Sequence, residues 1–147
     1  MNRHLSRTIA MQSLYEWDFR QAEHPWEIAS RIIANVEPDA DKEFIKDLLD
    51  GSVEHVAELD KMIAEAAPEW PIEQISVIDK TILRIALYEL LYRVDVPPKV
   101  SINEAVELGK TYGGENSSKF INGVLGTLYR KSDRYIIEED KKINEIE

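Results

Sequence analysis

Apolar residues recur every three or four positions along nearly the whole chain, the period of helices that each bury one face. Ala10, Leu14 and Trp17 predict the buried stripe of a first helix. Pro25 suits the first turn of a second helix, with Trp26, Ala29, Ile33 and Val36 as its stripe, and Pro38-Asp39 marks a turn. Ile45, Leu49, Ser52, Val56, Leu59 and Ile63 predict one long helix with a single seam. Gly51 interrupts that helix at about 1 kcal/mol relative to alanine. Pro68 and Pro71 close it. The stretch VIDKTILRIALYELLYR is apolar nearly all round, as expected of a central helix with neighbours on several sides. VDVPPKV is a stiff connector.

Ser101 followed by Glu104 then reads as a capping box, with Val100 and Ala105 as its staple. Gly113-Gly114 is expected to end that helix in a left-handed cap. Asn116 or Ser117 caps the last helix, whose face is Phe120, Val124 and Leu128. Gly123 and Gly126 read as small residues that let two helices approach. The segment RKSDRYIIEEDKKINEIE either extends this helix or frays. No run alternates with period two between hairpin turns, so the expected class is all-α, a single domain of about seven helices.

Composition narrows the chemistry. At 147 residues the chain suits one domain with a core of its own. It has no cysteine, which removes disulfides, thiolate metal sites and cysteine nucleophiles and fits a cytoplasmic protein. No apolar run approaches the roughly 18–20 residues of a membrane span. His4, His24 and His55 are scattered without metal-ligand spacing, and phosphate-loop and nucleophile-elbow motifs are absent. Neither enzyme, metal nor cofactor is expected. The net charge of −10 argues against general nucleic-acid binding, because backbone affinity comes from lysine and arginine. The charge is uneven, however: the first fifteen residues carry Arg3, His4 and Arg7 and no acid. Tyr15 lies near that basic end, off the Ala10–Leu14–Trp17 stripe. Phe120 follows Lys119 and the polar Glu115-Asn116-Ser117-Ser118. An aromatic beside a cation at a helix start suits single-stranded RNA, with a base on the ring and phosphate at the amides.

RTIAMQSLYEWDF and DKTILRIALYELLYRVDVPPKVSINEAVELGKTYGGENSSKFINGVL resemble the NusB family of transcription antitermination factors, in order, from about residue 3 to 129. The resemblance implies a non-enzymatic helical domain over 1–134, in two small bundles of about 1–70 and 71–134, followed by a charged tail over 135–147. It implies binding of boxA-type single-stranded RNA together with the ribosomal protein NusE, in an antitermination complex on RNA polymerase during ribosomal RNA synthesis. Arg3 and Arg7 match an arginine-rich N-terminus, and Gln12 and Tyr15 match a Gln-x-x-Tyr in the first helix. Lys119, Phe120 and Asn122 match a Lys-Phe-x-Asn in the last, just after Asn116. The GGEN break is expected to set the last helix beside the first, making one RNA surface. Asp79 and Arg84 match the charged edge of the central helix, toward NusE. His4 and Leu5 stand where some relatives carry further arginines, so RNA binding is expected to lean on NusE. Two alternatives remain open on these residues. One is a stand-alone relative of the accessory domain of an RNA cytosine methyltransferase; the other is a helical homodimerisation module.

Overall fold

A computed structural model describes residues 2–36 and 39–136, apart from the side chain of Val36. The acidic end of the tail, and the question of where it goes, lie outside the described residues. Seven α-helices follow one another: α1 (Arg3–Arg20), α2 (Pro25–Val36), α3 (Lys42–Glu54), α4 (Val56–Ala66), α5 (Val77–Tyr92), α6 (Pro98–Tyr112) and α7 (Ser117–Arg130). A 3-10 turn, Ile72–Gln74, precedes α5. Among the described residues the only β-type pairing is an isolated bridge between Asn2 and Ala40. The all-α expectation holds.

The central role of the fifth helix also holds. Every residue from Thr81 to Leu90 is buried, and α5 packs against α1, α3, α4, α6 and α7. Residues that bury on all sides cannot be laid on a surface, so the other helices wrap this one. Around it runs one continuous core, from Ile9, Ala10 and Leu14 through Phe44, Ile45 and Leu49 to Ile102, Leu125 and Tyr129. α4 lies against α5 and α7 and only lightly against α3.

Four local expectations are corrected. The long helix breaks at His55, whose backbone leaves helical geometry between α3 and α4. The His55 ring stacks on Tyr92 and Tyr88 of α5, with centroids 4.6 and 6.2 Å away. Ile45, Leu49, Ser52, Leu59 and Ile63 of the seam are nevertheless buried, because the break preserves which face points inward, and only Val56, next to the break, is half-buried. Second, α6 begins at Pro98, so Ser101 is buried in its first turns and Glu104 is no capping partner. The Glu104 carboxylate instead accepts from His4 Nδ1 at 2.8 Å. Third, Gly113 is extended (φ −88°, ψ −170°) rather than left-handed. A Cβ there would collide with Ser117 and the Gly109 carbonyl. Fourth, Gly123 and Gly126 face no neighbouring helix. The close approaches fall elsewhere. The Tyr88 ring occupies the space a side chain at Gly51 would need, and Gly109 lets α6 meet α7, where a Cβ would lie 2.8 Å from Ile121.

Candidate nucleic-acid interface

The predicted RNA residues divide into three groups. At one end of α1 stand Arg3 and His4. Arg3 is partly exposed, with its guanidinium 3.4 Å from Asp41 and 3.5 Å from Asp95. His4 is mostly exposed beside Glu104. Carboxylates thus temper both groups at the end expected to be basic.

Arg7, Arg84 and Asn122 form the second group, and the structure buries all three. Arg7 is 5% exposed; its Nε donates to Glu89 of α5 at 2.9 Å, and its Nη1 lies 3.8 Å from Glu104. Three guanidinium groups, from Arg3, Arg7 and Arg93, lie 4.4–5.1 Å from the centre of the buried Phe44 ring. Arg84 is likewise 5% exposed. It bridges two helices by donating to Asp60 of α4 through Nε and Nη2, both at 2.8 Å, and to Asp18 of α1 at 2.7 Å. Burial works against that charge, yet the bonds to Asp60 and Asp18 outweigh it and hold the Arg84 pKa above the ordinary guanidinium value. Asn122 is buried in the α7 face, and its Oδ1 accepts no hydrogen bond among the described residues. In this conformation none of the three meets solvent as an RNA or partner contact. A buried ion pair that loses one member leaves a costly charge behind, so these residues hold helices in register. The signal was present in the sequence. Arg7 lies three residues before Ala10 on the buried stripe of α1, and Arg84 sits inside the run that is apolar nearly all round.

The third group is on the surface. Gln12 is exposed on α1, and Tyr15 is half-buried with its ring edge-to-face on Phe19, centroids 5.0 Å apart. Phe19 itself is 63% exposed. At the start of α7, Asn116 and Lys119 are exposed and Phe120 is half-buried. Asn116 gives no side-chain cap, and the Ser117 hydroxyl instead accepts from the amide of Gly114, before the helix, at 2.8 Å. Lys119 has no ion-pair partner among the described residues.

A cleft of about 550 Å³ joins this helix start to the first turn of α5. Its walls include Trp70, Ser76, Asp79, Asn116, Lys119 and Phe120. A second hollow, of about 350 Å³, shares Trp70, Lys119 and Phe120 on the other side. Trp70, held between Pro68 and Pro71, is 52% exposed, in a stretch where the sequence reading singles out only the two prolines that close a helix. A tryptophan flanked by prolines in a turn, with no helical stripe to join, is the feature that reveals it.

The expected adjacency of α1 and α7 is revised. The packing partners of α1 are α2, α3, α5 and, more lightly, α6, whereas those of α7 are α6, α5 and α4. The first turns of α5 mediate between them. Lys80 lies 3.7 Å from Asp18 on α1, next in sequence to Asp79 in the cleft. Asp79, expected on a separate protein-facing edge, therefore shares its surroundings with Lys119 and Phe120.

Three comparisons place this geometry. The NusB family model matches residues 4–130. The transcription antitermination protein NusB of Roseiflexus castenholzii is 47% identical over 130 residues, spanning 86% of this chain and 90% of the relative. The crystal form of T. maritima NusB superposes with a TM-score of 0.83 at 31% identity, covering 96% of this chain and 98% of the other. A structure of the antitermination factors NusB and NusE in complex with double-stranded RNA gives a TM-score of 0.77 at 30% identity, over 89% and 99% of the two chains. The match runs along the body of the chain in both sequence and fold, and the chain belongs to the NusB family.

Proposed function

We propose that this chain binds boxA-type single-stranded RNA jointly with NusE, in the cytoplasm, and that the pair acts on RNA polymerase as an antitermination complex during ribosomal RNA transcription. The observation that carries the RNA reading is Lys119, a cation without an ion-pair partner among the described residues, set beside Phe120 and Trp70. Aromatic faces that hold unstacked bases, with a cation for the phosphate, are the chemistry of single-strand recognition. The solved NusB–NusE neighbour was captured with double-stranded RNA. The preference for a single strand here rests on the rings.

Contacts fall to Gln12, Tyr15, Asn116, Lys119 and Phe120, with Arg3 and His4 reaching phosphates farther along. From Arg3 to Tyr15 is about 18 Å along α1 at helical rise, so one strand follows the helix from the basic end to the aromatic end. Arg7, Arg84 and Asn122 support this surface from below. The net charge of −10 explains the need for NusE. A basic ribosomal protein is drawn to an acidic surface, and opposite potentials speed encounter and set orientation.

The test is a titration of NusE from the same organism, with and without boxA RNA. A one-to-one protein complex that binds RNA more tightly than this chain alone is the expected result. Absence of association at moderate salt overturns the reading, and light scattering of the free chain then shows whether two copies close over the cleft instead.

A further inference from the structure

Three guanidinium groups crowd the buried Phe44 ring at the N-terminal end of α1, and like charges so close need carboxylates among them. Arg7 is satisfied by the buried Glu89. Arg3 and Arg93, the latter at the end of α5, share Asp95. One oxygen, Asp95 Oδ2, accepts from Arg93 Nη2 at 2.8 Å and lies 3.5 Å from Arg3 Nη1. The other carboxylates facing these two arginines also hold the fold. Asp41 lies 3.4 Å from Arg3 and caps α3 by accepting from the Phe44 amide at 3.2 Å. Asp47 accepts from Tyr88 as well as from Arg93. Asp95 is different: apart from its own amide, it bonds only the two guanidiniums among the described residues. It is also the most open of the group, with a side chain 52% exposed against 39% for Arg3 and 22% for Arg93. Burial works against the Asp95 charge, yet Arg93 and Arg3 hold its carboxyl below the ordinary carboxylate value, so this position favours an anion.

An anion held between two guanidiniums and open to water is exchangeable. A phosphodiester carries the same single charge as the carboxylate and offers two outer oxygens, one for each arginine. An acidic peptide has similar chemistry, but Arg3 stands at one end of the strand path proposed along α1, so RNA is the better occupant. A strand anchored elsewhere on α1 presents its next phosphate at high effective concentration and can displace a tethered carboxylate. A free phosphate ion lacks that advantage.

Resting on the RNA reading above, we infer that Arg3 and Arg93 form a phosphate clamp, and that Asp95 is its built-in competitor, a carboxylate that occupies the clamp until RNA displaces it. Arg93 thereby joins the RNA surface. The tempering of the basic end becomes a threshold that weakly anchored strands do not cross.

The experiment titrates the full chain with labelled 12-nucleotide oligocytidine over a range of salt, by anisotropy, with and without NusE. Arg93 also holds Asp47 and packs on Phe44, so the variants are Asp95→Asn, Arg3→Ala and the two together. Glu27→Gln, which removes one charge from the exposed face of α2, controls for net charge. Asp95→Ser repeats the measurement should asparagine disturb the turn, and the unfolding midpoint of each variant is checked. Asp95→Asn is expected to bind about 2–5-fold more tightly at low salt, the range an exposed ion pair supplies. Its slope of log affinity against log salt should steepen by about 0.7 for one further phosphate. Arg3→Ala should cost more affinity in the Asp95→Asn chain than in the wild type, and part of the gain should survive in the double variant through Arg93. A gain no larger than that of Glu27→Gln, or one indifferent to Arg3, is a general charge effect and overturns the clamp while the broader RNA reading stands. Weaker binding by Asp95→Asn overturns it too, since the carboxylate would then be positioning RNA. A double variant that keeps none of the gain removes Arg93 and with it the two-armed site. Inorganic phosphate, matched to chloride in ionic strength, should displace little RNA from the wild type; full displacement makes this a free-phosphate site and refutes the RNA assignment. Absence of RNA binding by every form, with and without NusE, sinks the broader reading itself.

Discussion

The charges that tie α1 to its neighbours and the charges in the cleft at the start of α7 are the same residue types used in opposite ways. Along α1, Arg7 meets Glu89 and Arg84 meets Asp18 and Asp60, each guanidinium nearly sealed from water and satisfied by carboxylates on other helices. In the cleft, Lys119 and Asp79 share a wall and neither forms an ion pair among the described residues. Spent charges fix where helices sit; unspent charges are what a ligand can use. The difference separates scaffold from site on a surface where composition shows only an excess of acid.

That separation breaks first at Arg7. Arg7→Ala leaves Glu89 buried without its partner, and a loss of about 3–5 kcal/mol in unfolding free energy is expected by chemical denaturation. The paired replacement of Arg7 by Met and Glu89 by Leu should recover most of it. A stable Arg7→Ala variant with impaired RNA binding would return Arg7 to the RNA surface.

The cleft responds in the other measurement. Phe120→Ala or Tyr15→Ala is expected to cost about 1–3 kcal/mol of RNA affinity for each base that stacks there. Phe120 is packed in part against the core, so its variant also loses some stability, and binding is read on the folded protein. Unchanged titrations for both variants would remove the aromatic surface.

Most of the scaffold was legible from spacing alone. Ala10, Leu14, the seam from Ile45 to Ile63 and the all-round burial of α5 follow from which positions recur at helical period. What spacing cannot report is what a polar residue on a buried stripe is paired with. Arg7 and Arg84 were read as surface groups because their partners, Glu89, Asp18 and Asp60, lie 24 to 82 residues away. The break at His55 was hidden because a kink that preserves the inward face leaves the pattern of apolar residues unchanged. Tyr15 stands out because it lies off the buried stripe of α1, and Phe120 because it follows a cation at a helix start; Lys119 is exposed, while both rings are half-buried and Phe120 also packs in part against the core. Trp70 escaped because prolines on both sides remove the helical period against which an odd residue stands out.

The scaffold charges also govern behaviour at high pH. The Tyr88 hydroxyl donates to Asp47 at 2.7 Å, and burial, that bond and the Asp47 charge push its pKa well above 10. A proton held more tightly in the folded than in the unfolded state stabilises the fold fully below the unfolded value. That stability is lost as pH rises above about 10. Alkaline titration of tyrosine absorbance should show Tyr88 losing its proton last, after Tyr92, whose pKa burial and Glu58 also raise, and Tyr88→Phe should remove that last step and flatten the fall in Tm above that pH. A last step unchanged in Tyr88→Phe would place the tightly held proton elsewhere.

The smallest effect, and the cleanest separator of the two regions, is expected at Lys119. Its side chain is exposed at the start of α7, with no ion pair to break among the described residues, so Lys119→Ala should leave unfolding nearly unchanged. If it neutralises one phosphate, its removal lowers the slope of log affinity against log salt by about 0.7, the single-strand value. The weakening should be the same for every sequence, because a phosphate contact positions RNA without reading it. Titrations of oligocytidine and oligouridine over a range of salt, with wild type and Lys119→Ala in the presence of NusE, check both expectations. If Lys119→Ala destabilised the fold instead, the contrast between spent and unspent charge would fail at its most exposed residue. Arg7 and Lys119 would then belong to a single scaffold, and the site would have to be sought on another face.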